Sequence, residues 1–318
     1  MKTKFAIGCL VQWYELDIID GYLISLKNAI DLYDKENVII DIIVTDNTML
    51  EKPVSDTVLK SCMSSIISKI NTTLDNVNLR TESSLYTIAD YRRQFNDRYC
   101  DLADVLVWGE TDMLVPKQAF QSLHMLHESQ STTTPKYIAT FAICKMWDDT
   151  WKPLEHVQFT DFEHSDSKED WWGLNYDMTI DEMNTFNDSI EQLDVCVISP
   201  HKFNGCGLVI SSEVIKAGVN IPRSVFFVHE DSSFMMMTNK VLGDIPQYHF
   251  RNLLMVHTRK HKDKRNYIAG ETGETVGQKR NSNKWYTVAN RMCEQNVYNI
   301  FKPNYKSYTW NDVWTQLQ

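Results

Sequence analysis

The sequence predicts an α/β fold in which a mixed sheet is flanked by helices. Short apolar runs of strand length alternate with amphipathic stretches of helical spacing, and the turns between them are short. The chain of 318 residues is 43% hydrophobic and 23% charged, which is typical of a globular protein with a sizeable core. We find no internal repeat and no linker, so residues 1–318 are expected to form a single domain that carries one insertion.

The first half of the chain supplies the alternation of strands and helices. Val38–Val44 is almost wholly apolar and β-branched, which is typical of a strand that is covered on both faces. Between Asp17 and Tyr33, apolar residues recur at helical spacing. The predicted strands of this half are Phe5–Val11, Val38–Val44, Ala103–Trp108 and Tyr137–Ile143, and the predicted helices are Asp17–Tyr33, Val58–Ile70, Ile88–Asp101 and one that begins at Pro116.

An acidic segment rich in tryptophan, residues 145–194, interrupts this alternation and is predicted to be an insertion or a lid. From Lys145 to Pro200 the chain has 14 Asp and Glu residues against 3 lysines. Thr179 followed by Glu182 predicts a capping box and a helix that reaches Leu193. The tryptophans of this segment either pack in a core or cradle a sugar by stacking; they are Trp147, Trp151, Trp171 and Trp172.

The second half resumes the strands and ends in a basic region. From Tyr248 to the last residue there are 12 Lys and Arg residues against 5 acidic residues. Residues 259–318 are predicted to be a basic loop followed by a C-terminal helix, Trp285–Phe301, which Pro303 ends. The other predicted elements are the strands Val195–Ile198, Gly205–Ile210 and Leu253–Val256 and the helices Ser211–Ala217 and Asp231–Leu242.

Composition and motifs argue against several classes of protein. Seven cysteines without a C-x-x-C pair indicate buried thiols in a reducing cytosol rather than disulfides or a structural zinc site. No apolar run approaches the roughly 18 residues of a membrane span, so we expect a cytoplasmic protein, in the host cytoplasm if the source is viral. The chain has no Walker loop, no H-E-x-x-H and no G-x-S-x-G, which argues against a P-loop protein, a zincin and a serine hydrolase.

Two carboxylates directly follow the predicted strand that ends at Trp108. Glu110 and Asp112 lie one residue apart, and ligands of open α/β sheets bind beyond the carboxyl ends of the strands. Such a pair on a turn can hold a hard divalent ion, which in turn can bridge a diphosphate. The same residues could instead form a turn or a helix cap before Pro116.

Further polar residues follow strands or begin a helix. Asp46 can accept hydrogen bonds from the ribose or base of a nucleotide, or form an Asx-turn with Asn47. Glu230 and Asp231 begin a predicted helix, where they either cap it or present Asp231 as a general base. His257 closes a strand, and its imidazole can complete a Mn²⁺ or Mg²⁺ site or be a structural histidine.

The order of these features resembles the GT-A fold of nucleotide-sugar glycosyltransferases, in particular the family-2-like group. The resemblance runs from about residue 3 to residue 260. It is most specific from 203 to 242, where F-N-G-C-G-L-V-I-S-S-E-V-I-K-A-G is followed by the pair Glu230 and Asp231. The Q-x-x-R-W signature of the processive synthases is missing, which favours the transfer of a single sugar.

The resemblance implies roles for individual residues. Asp231, paired with Glu230, would be the catalytic base, and Glu110, Asp112 and His257 would hold Mn²⁺ or Mg²⁺. The residues that would contact the nucleotide sugar or its diphosphate are Asp46, Gly205, Gly207, Arg259, Lys260 and Lys262.

The leading hypothesis is a metal-dependent glycosyltransferase that moves one sugar from a nucleotide sugar, expected to be UDP-linked, to an acceptor hydroxyl with inversion. A retaining mechanism on the same scaffold is the alternative, since the sequence does not show which face of the sugar Asp231 would meet. The acceptor is a glycan or surface polysaccharide, or a hydroxymethylated base in DNA, as in glycosyltransferases of T-even-like phages. A nucleotidyltransferase is one alternative, although it should carry a glycine-rich basic loop near its first strand, which this chain lacks. A non-catalytic protein that binds nucleotide sugars is the other alternative.

Overall fold

The computed structural model describes residues 2–50, 55–83, 85–143, 178–198, 205–257 and 284–318. Within these ranges the chain forms one sheet with helices packed against it. The strands are β1 Phe5–Gln12, β2 Val38–Thr45, β3 Val77–Glu82, β4 Val105–Trp108, β5 Met113–Leu114, β6 Ile138–Ile143, β7 Val195–Ile198, β8 Val209–Ser211 and β9 Gln247–His257. The helices are α1 Ile19–Tyr33, α2 Asp56–Thr73, α3 Ile88–Tyr99, α4 Ala119–Gln130, α5 Ile180–Asp188, α6 Ser212–Lys216, α7 Glu230–Leu242, α8 Lys284–Asn299 and α9 Trp310–Leu317.

The mixed sheet that the sequence predicts is confirmed. Strands β3, β2, β1 and β4 lie side by side and run parallel. The sheet continues through β8, which is antiparallel to both β4 and β6, and then through β9, which is parallel to β6. Strands β7 and β5 both pair antiparallel with β9. The parallel half therefore comes from the alternating first part of the chain, and the second part adds the antiparallel strands.

Helices cover both faces of the parallel half. Successive side chains of a strand point to opposite faces, so Phe5 and Gly8 of β1 face different layers. The Phe5 ring packs against Phe120 of α4, whereas a Cβ on Gly8 would lie 2.5 Å from the Phe95 ring of α3. Strands β1, β2 and β4 are almost entirely buried between these layers, which explains their largely apolar sequences.

Several elements differ from the sequence predictions. Helix α4 begins at Ala119 rather than Pro116, because residues 116–119 form a turn closed by the Ala119 N–H and the Pro116 carbonyl. Helix α5 starts with the predicted capping box of Thr179 and Glu182 but ends at Asp188, before Leu193. Strand β8 is confined to Val209–Ser211, and β3, β5 and α9 were not anticipated. A C-terminal helix, α8, is present as predicted.

Two predicted segments fall largely outside the described residues. Residues 145–177 of the acidic segment, with all four of its tryptophans, and residues 259–283 of the basic loop are not described. The division into one domain, an insertion and a basic tail therefore stays a prediction. None of the described helices is long and apolar enough to cross a membrane.

Candidate active site

Strand pairing brings the acidic turn after β4 next to the end of β9. The chain leaves β4 at Trp108, passes through Glu110 and Asp112, and immediately enters β5. Because Met113 of β5 is in register with His257 of β9, the histidine lies directly beside the turn. The His257 Nε2 atom is 3.4 Å from Glu110 Oε2 and 3.4 Å from Asp112 Oδ1. The structure thus brings together the three residues that the sequence analysis named as metal ligands.

The electrostatics of this cluster favour a positive charge between the two carboxylates. Asp112 and His257 are buried, and the Glu110 side chain is 24% exposed. Burial works against a charged imidazole, but the carboxylates of Asp112 and Glu110 outweigh it and raise the pKa of His257 to about 9. Burial likewise opposes ionisation of Glu110, yet His257 and Arg92 lower its pKa to about 2. An imidazolium therefore occupies the place between the two carboxylates where a metal cation would act.

Arg92 of α3 connects this cluster to the start of α7. Its side chain is only 2% exposed, and its Nη1 donates to Glu230 Oε1 at 2.5 Å while Nη2 donates to Glu110 Oε1 at 2.5 Å. Nη2 also donates to the Gly205 carbonyl at 3.1 Å, and the guanidinium lies 4.7 Å from the Trp108 ring centroid. Burial works against a charged guanidinium, but the two glutamates outweigh it and raise the pKa of Arg92, so the guanidinium is a fixed positive charge.

The sequence analysis missed Arg92, although a signal for it exists. The buried face of α3 includes Ala89, Tyr91, Phe95 and Tyr99, and Arg92 falls within the same face. A charged residue on the apolar stripe of a helix must be paired in the fold, since burial of an unpaired charge is very costly. The sequence alone does not show which acids form the pair.

The predicted catalytic pair opens helix α7 and is tied to the same network. His229 adopts a left-handed backbone conformation with φ of 66°, and the helix begins at Glu230. Asp231 Oδ2 accepts a hydrogen bond from the Gly205 N–H at 3.1 Å, and Oδ1 accepts one from the Ser232 N–H at 2.6 Å. Burial raises the pKa of Glu230 to about 7, against the opposing attraction of Arg92. Glu230 therefore contacts Arg92, while Asp231 is positioned through Gly205.

The structure gives each of the two predicted nucleotide-binding glycines a packing role. A Cβ on Gly205 would lie 2.0 Å from Arg92 Nη1, and one on Gly207 would lie 2.4 Å from Met255 Sδ. Gly207 also has a φ of +70°, which side chains rarely adopt. These contacts explain why no side chain fits at either position, and the approach of a nucleotide to this backbone stays a prediction.

Asp46 lies at the same edge of the sheet as Glu110. It follows β2 and Glu110 follows β4; both strands run parallel to β1, which lies between them. Asp46 Oδ1 accepts a hydrogen bond of 3.4 Å from the Thr48 N–H, the Asx-turn considered in the sequence analysis. The contact of Asp46 with a nucleoside stays a prediction. The basic residues Arg259, Lys260 and Lys262 lie outside the described residues.

A cysteine that the sequence analysis treated only as a buried thiol joins the cluster. The Cys206 Sγ, a Glu110 carboxylate oxygen and a His257 ring nitrogen all lie within 4.8 Å of one another. With Asp112 beside His257, the donor set contains two carboxylates, an imidazole and a thiol. This set fits a divalent cation, because each of these groups is an established ligand of such ions.

The solved structures described here are distant likenesses of this chain. No protein-family model and no curated protein matches the sequence. The crystal structure of S. aureus TarS 1–349 aligns with a TM-score of 0.48 at 11% identity, covering 98% of this chain and 78% of that one. The same protein in complex with UDP-GlcNAc aligns with a TM-score of 0.48 at 10% identity, covering 95% and 76%. A mycobacterial protein aligns with a TM-score of 0.42 at 11% identity, covering 84% of this chain and 73% of that one. These likenesses are too distant to assign an activity to this chain.

Proposed function

We propose that this chain is a metal-dependent glycosyltransferase that transfers one sugar from a UDP-linked donor to an acceptor hydroxyl. The proposal is carried by the convergence of Glu110, Asp112 and His257 beside the start of α7, where Asp231 is fixed by the Gly205 N–H. The order of the sequence motifs, which resembles the GT-A glycosyltransferases, supports the same reading. A cation held by the three ligands would neutralise the diphosphate of the leaving nucleotide.

Asp231 is the proposed general base. Each of its oxygens accepts one backbone hydrogen bond, and a carboxylate oxygen has two acceptor sites, so a site remains on each for a hydroxyl. Asp231 takes the proton of the acceptor hydroxyl. At the same time the acceptor oxygen attacks the anomeric carbon of the sugar, and the bond from that carbon to the diphosphate breaks. This single displacement inverts the anomeric configuration. Product analysis by NMR reads the configuration directly, and a retained anomer would contradict the single step.

Turnover of the donor tests the proposal. Wild-type protein, Asp112→Asn and Asp231→Asn are compared for nucleotide release from a panel of nucleotide sugars with Mn²⁺, Mg²⁺ or Zn²⁺. Asp244→Asn is the matched control, because it makes the same change at an exposed residue two positions after the C-terminal end of α7. We expect the two site variants to lose activity and the control to keep it. Equal turnover by wild type and Asp112→Asn would show that the proposed metal site takes no part in the reaction.

The same assay separates the alternatives. Binding of nucleotide sugars without any turnover would favour the non-catalytic protein, which a rise in melting temperature with ligand would reveal. Release of pyrophosphate from a nucleoside triphosphate would favour the nucleotidyltransferase. Either result would contradict sugar transfer.

For the acceptor, we propose a hydroxymethylated base in DNA as the first candidate, with a glycan as the alternative. The observation that favours DNA is the basic sequence from residue 248 onward, with 12 Lys and Arg residues against 5 acidic residues. DNA binding should then weaken steeply with salt, because bound counterions are released. Transfer to a glycan without salt-dependent DNA binding would select the alternative.

A further inference from the structure

We infer that Cys206 is a ligand of the metal site, and that this thiol makes the site select Zn²⁺ over Mn²⁺ and Mg²⁺. The inference concerns the same ligands as the proposed function and identifies its cation, but it does not depend on sugar transfer taking place. The sequence resemblance implies Mn²⁺ or Mg²⁺ and assigns no role to the cysteine.

The backbone on both sides of Cys206 is fixed. The Gly205 carbonyl accepts from Arg92, and its N–H donates to Asp231. The Gly207 N–H donates to the Trp108 carbonyl at 2.9 Å, which ties the other side to the end of β4. Cys206 is 2% exposed. Its thiol is therefore held on a rigid segment that also contacts the predicted base and the acidic turn, as a metal ligand requires.

The distances suit a cation bound by several of these groups at once. Zn²⁺ binds sulfur at about 2.3 Å and nitrogen or oxygen at about 2.0–2.2 Å, so ligand atoms of a tetrahedral site lie about 3.5 Å apart. The His257 Nε2 atom already lies 3.4 Å from an oxygen of each carboxylate. The sulfur is within 4.8 Å of the Glu110 and His257 donor atoms. Small side-chain rotations would bring it to bonding distance.

The chemistry of the donors decides which cation they prefer. Mg²⁺ requires near-octahedral oxygen coordination and usually keeps several waters, whereas here two of the four donors are sulfur and nitrogen. Thiolate and imidazole favour Zn²⁺ over Mn²⁺ and Mg²⁺, and a mixed set of cysteine, histidine and carboxylate is typical of zinc. On binding, the cation displaces the thiol proton and the imidazolium proton, which pass to solvent.

Metal titration of the full chain tests the inference without any sugar substrate. Protein stripped with EDTA is titrated with Cd²⁺, and thiolate-to-metal charge transfer is followed in the ultraviolet. Wild type should develop the band at one Cd²⁺ per chain, and Zn²⁺ at equal concentration should reduce it clearly, whereas Mg²⁺ should leave it unchanged at a thousandfold excess. Cys206→Ser should lose the band and weaken Zn²⁺ binding at least about tenfold. Cys100→Ser, a buried cysteine after α3, is the control and should behave as wild type.

A second measurement needs no variant. X-ray absorption of the wild-type protein with one Zn²⁺ should show a sulfur neighbour at about 2.3 Å. An unchanged band in Cys206→Ser, a zinc site with only nitrogen and oxygen neighbours, or equal competition by Mg²⁺ would overturn the inference. Its failure is distinguishable from that of the proposed function: sugar transfer with Mg²⁺ and no zinc–sulfur bond refutes only the inference, and a zinc–sulfur site without sugar transfer refutes only the function.

Discussion

Replacement of Arg92 by methionine should strongly destabilise the protein. Methionine keeps most of the length of the side chain but removes the guanidinium that joins Glu110 to Glu230. Removing one partner from a buried ion pair costs about 3–5 kcal/mol, because the other charge stays behind unpaired. Glu110 is 24% exposed, so water partly solvates it, whereas the Glu230 side chain is only 10% exposed. We therefore expect a loss near the lower end, about 3 kcal/mol, which is a large part of the 5–15 kcal/mol of a typical domain.

Urea denaturation followed by circular dichroism measures this loss, with Arg98→Met as the matched control. Arg98 lies on the same helix, is 48% exposed, and approaches its partner Asp41 only to 3.9 Å. Because Arg98 is exposed and the separation is long, we expect this contact to contribute only about 0–1 kcal/mol. Arg92→Met combined with Glu230→Gln should recover part of the loss, because the second change neutralises one orphaned carboxylate. If Arg92→Met costs no more than Arg98→Met, the guanidinium does not hold the two acids together and our account of the network is wrong.

Three other predictions follow from individual sites. Gly207→Ala should cost more stability in thermal unfolding than Gly218→Ala, because both have positive φ but only a Cβ at residue 207 meets another side chain; equal losses would exclude the clash. In EDTA-treated protein, the pKa of His257 is raised from 6.5 to about 9. The contribution of protonated His257 to the free energy of unfolding is therefore complete below pH 6.5 and is lost as pH rises through 9. This pH-dependent loss of unfolding free energy is about 3 kcal/mol by linkage, and His257→Gln should abolish the loss. A variant whose unfolding free energy still depends on pH as in the wild type would contradict the prediction. Asp41→Ala should cost more than about 3 kcal/mol in denaturation, because the buried carboxylate accepts from Arg80 and two tyrosine hydroxyls; a loss below about 1 kcal/mol would contradict this.

Much of the parallel half could be predicted because burial on both faces leaves a plain signal in the sequence. Val38–Val44 is apolar except for Asp41 and is predicted to be a strand, and β2 occupies Val38–Thr45. The edge strand β3 reads V-N-L-R-T-E and is only half-buried, so its alternating polar residues gave no comparable run. Strand β5 has two residues and exists only through its pairing with β9, a contact between segments more than 140 residues apart that no local pattern reveals.

The candidate site likewise contains residues that the sequence predicts and residues that it does not. The rule that ligands bind beyond the carboxyl ends of strands was enough to single out Glu110, Asp112 and His257, because each follows or closes a strand. Arg92 and Cys206 were missed because their roles depend on packing between distant elements. Cys206 lies at the cluster next to Gly207, which takes a left-handed conformation and whose N–H pairs with the end of β4. Neither condition can be derived from the composition of the segment.

The contacts of Glu110 show what a long acidic side chain does in the acidic turn. Its Oε1 accepts a hydrogen bond from Arg92 and its Oε2 faces His257. One carboxylate therefore bridges a guanidinium that is always charged and an imidazole whose charge depends on its protonation. Arg92 cannot lose its proton and is a fixed positive charge beside Glu110 and Glu230, whereas the imidazolium of His257 can release its proton to solvent. An aspartate would be shorter by one methylene and could not span both partners from the same backbone position. The longer side chain therefore couples His257, through Arg92 and Glu230, to the helix that carries Asp231.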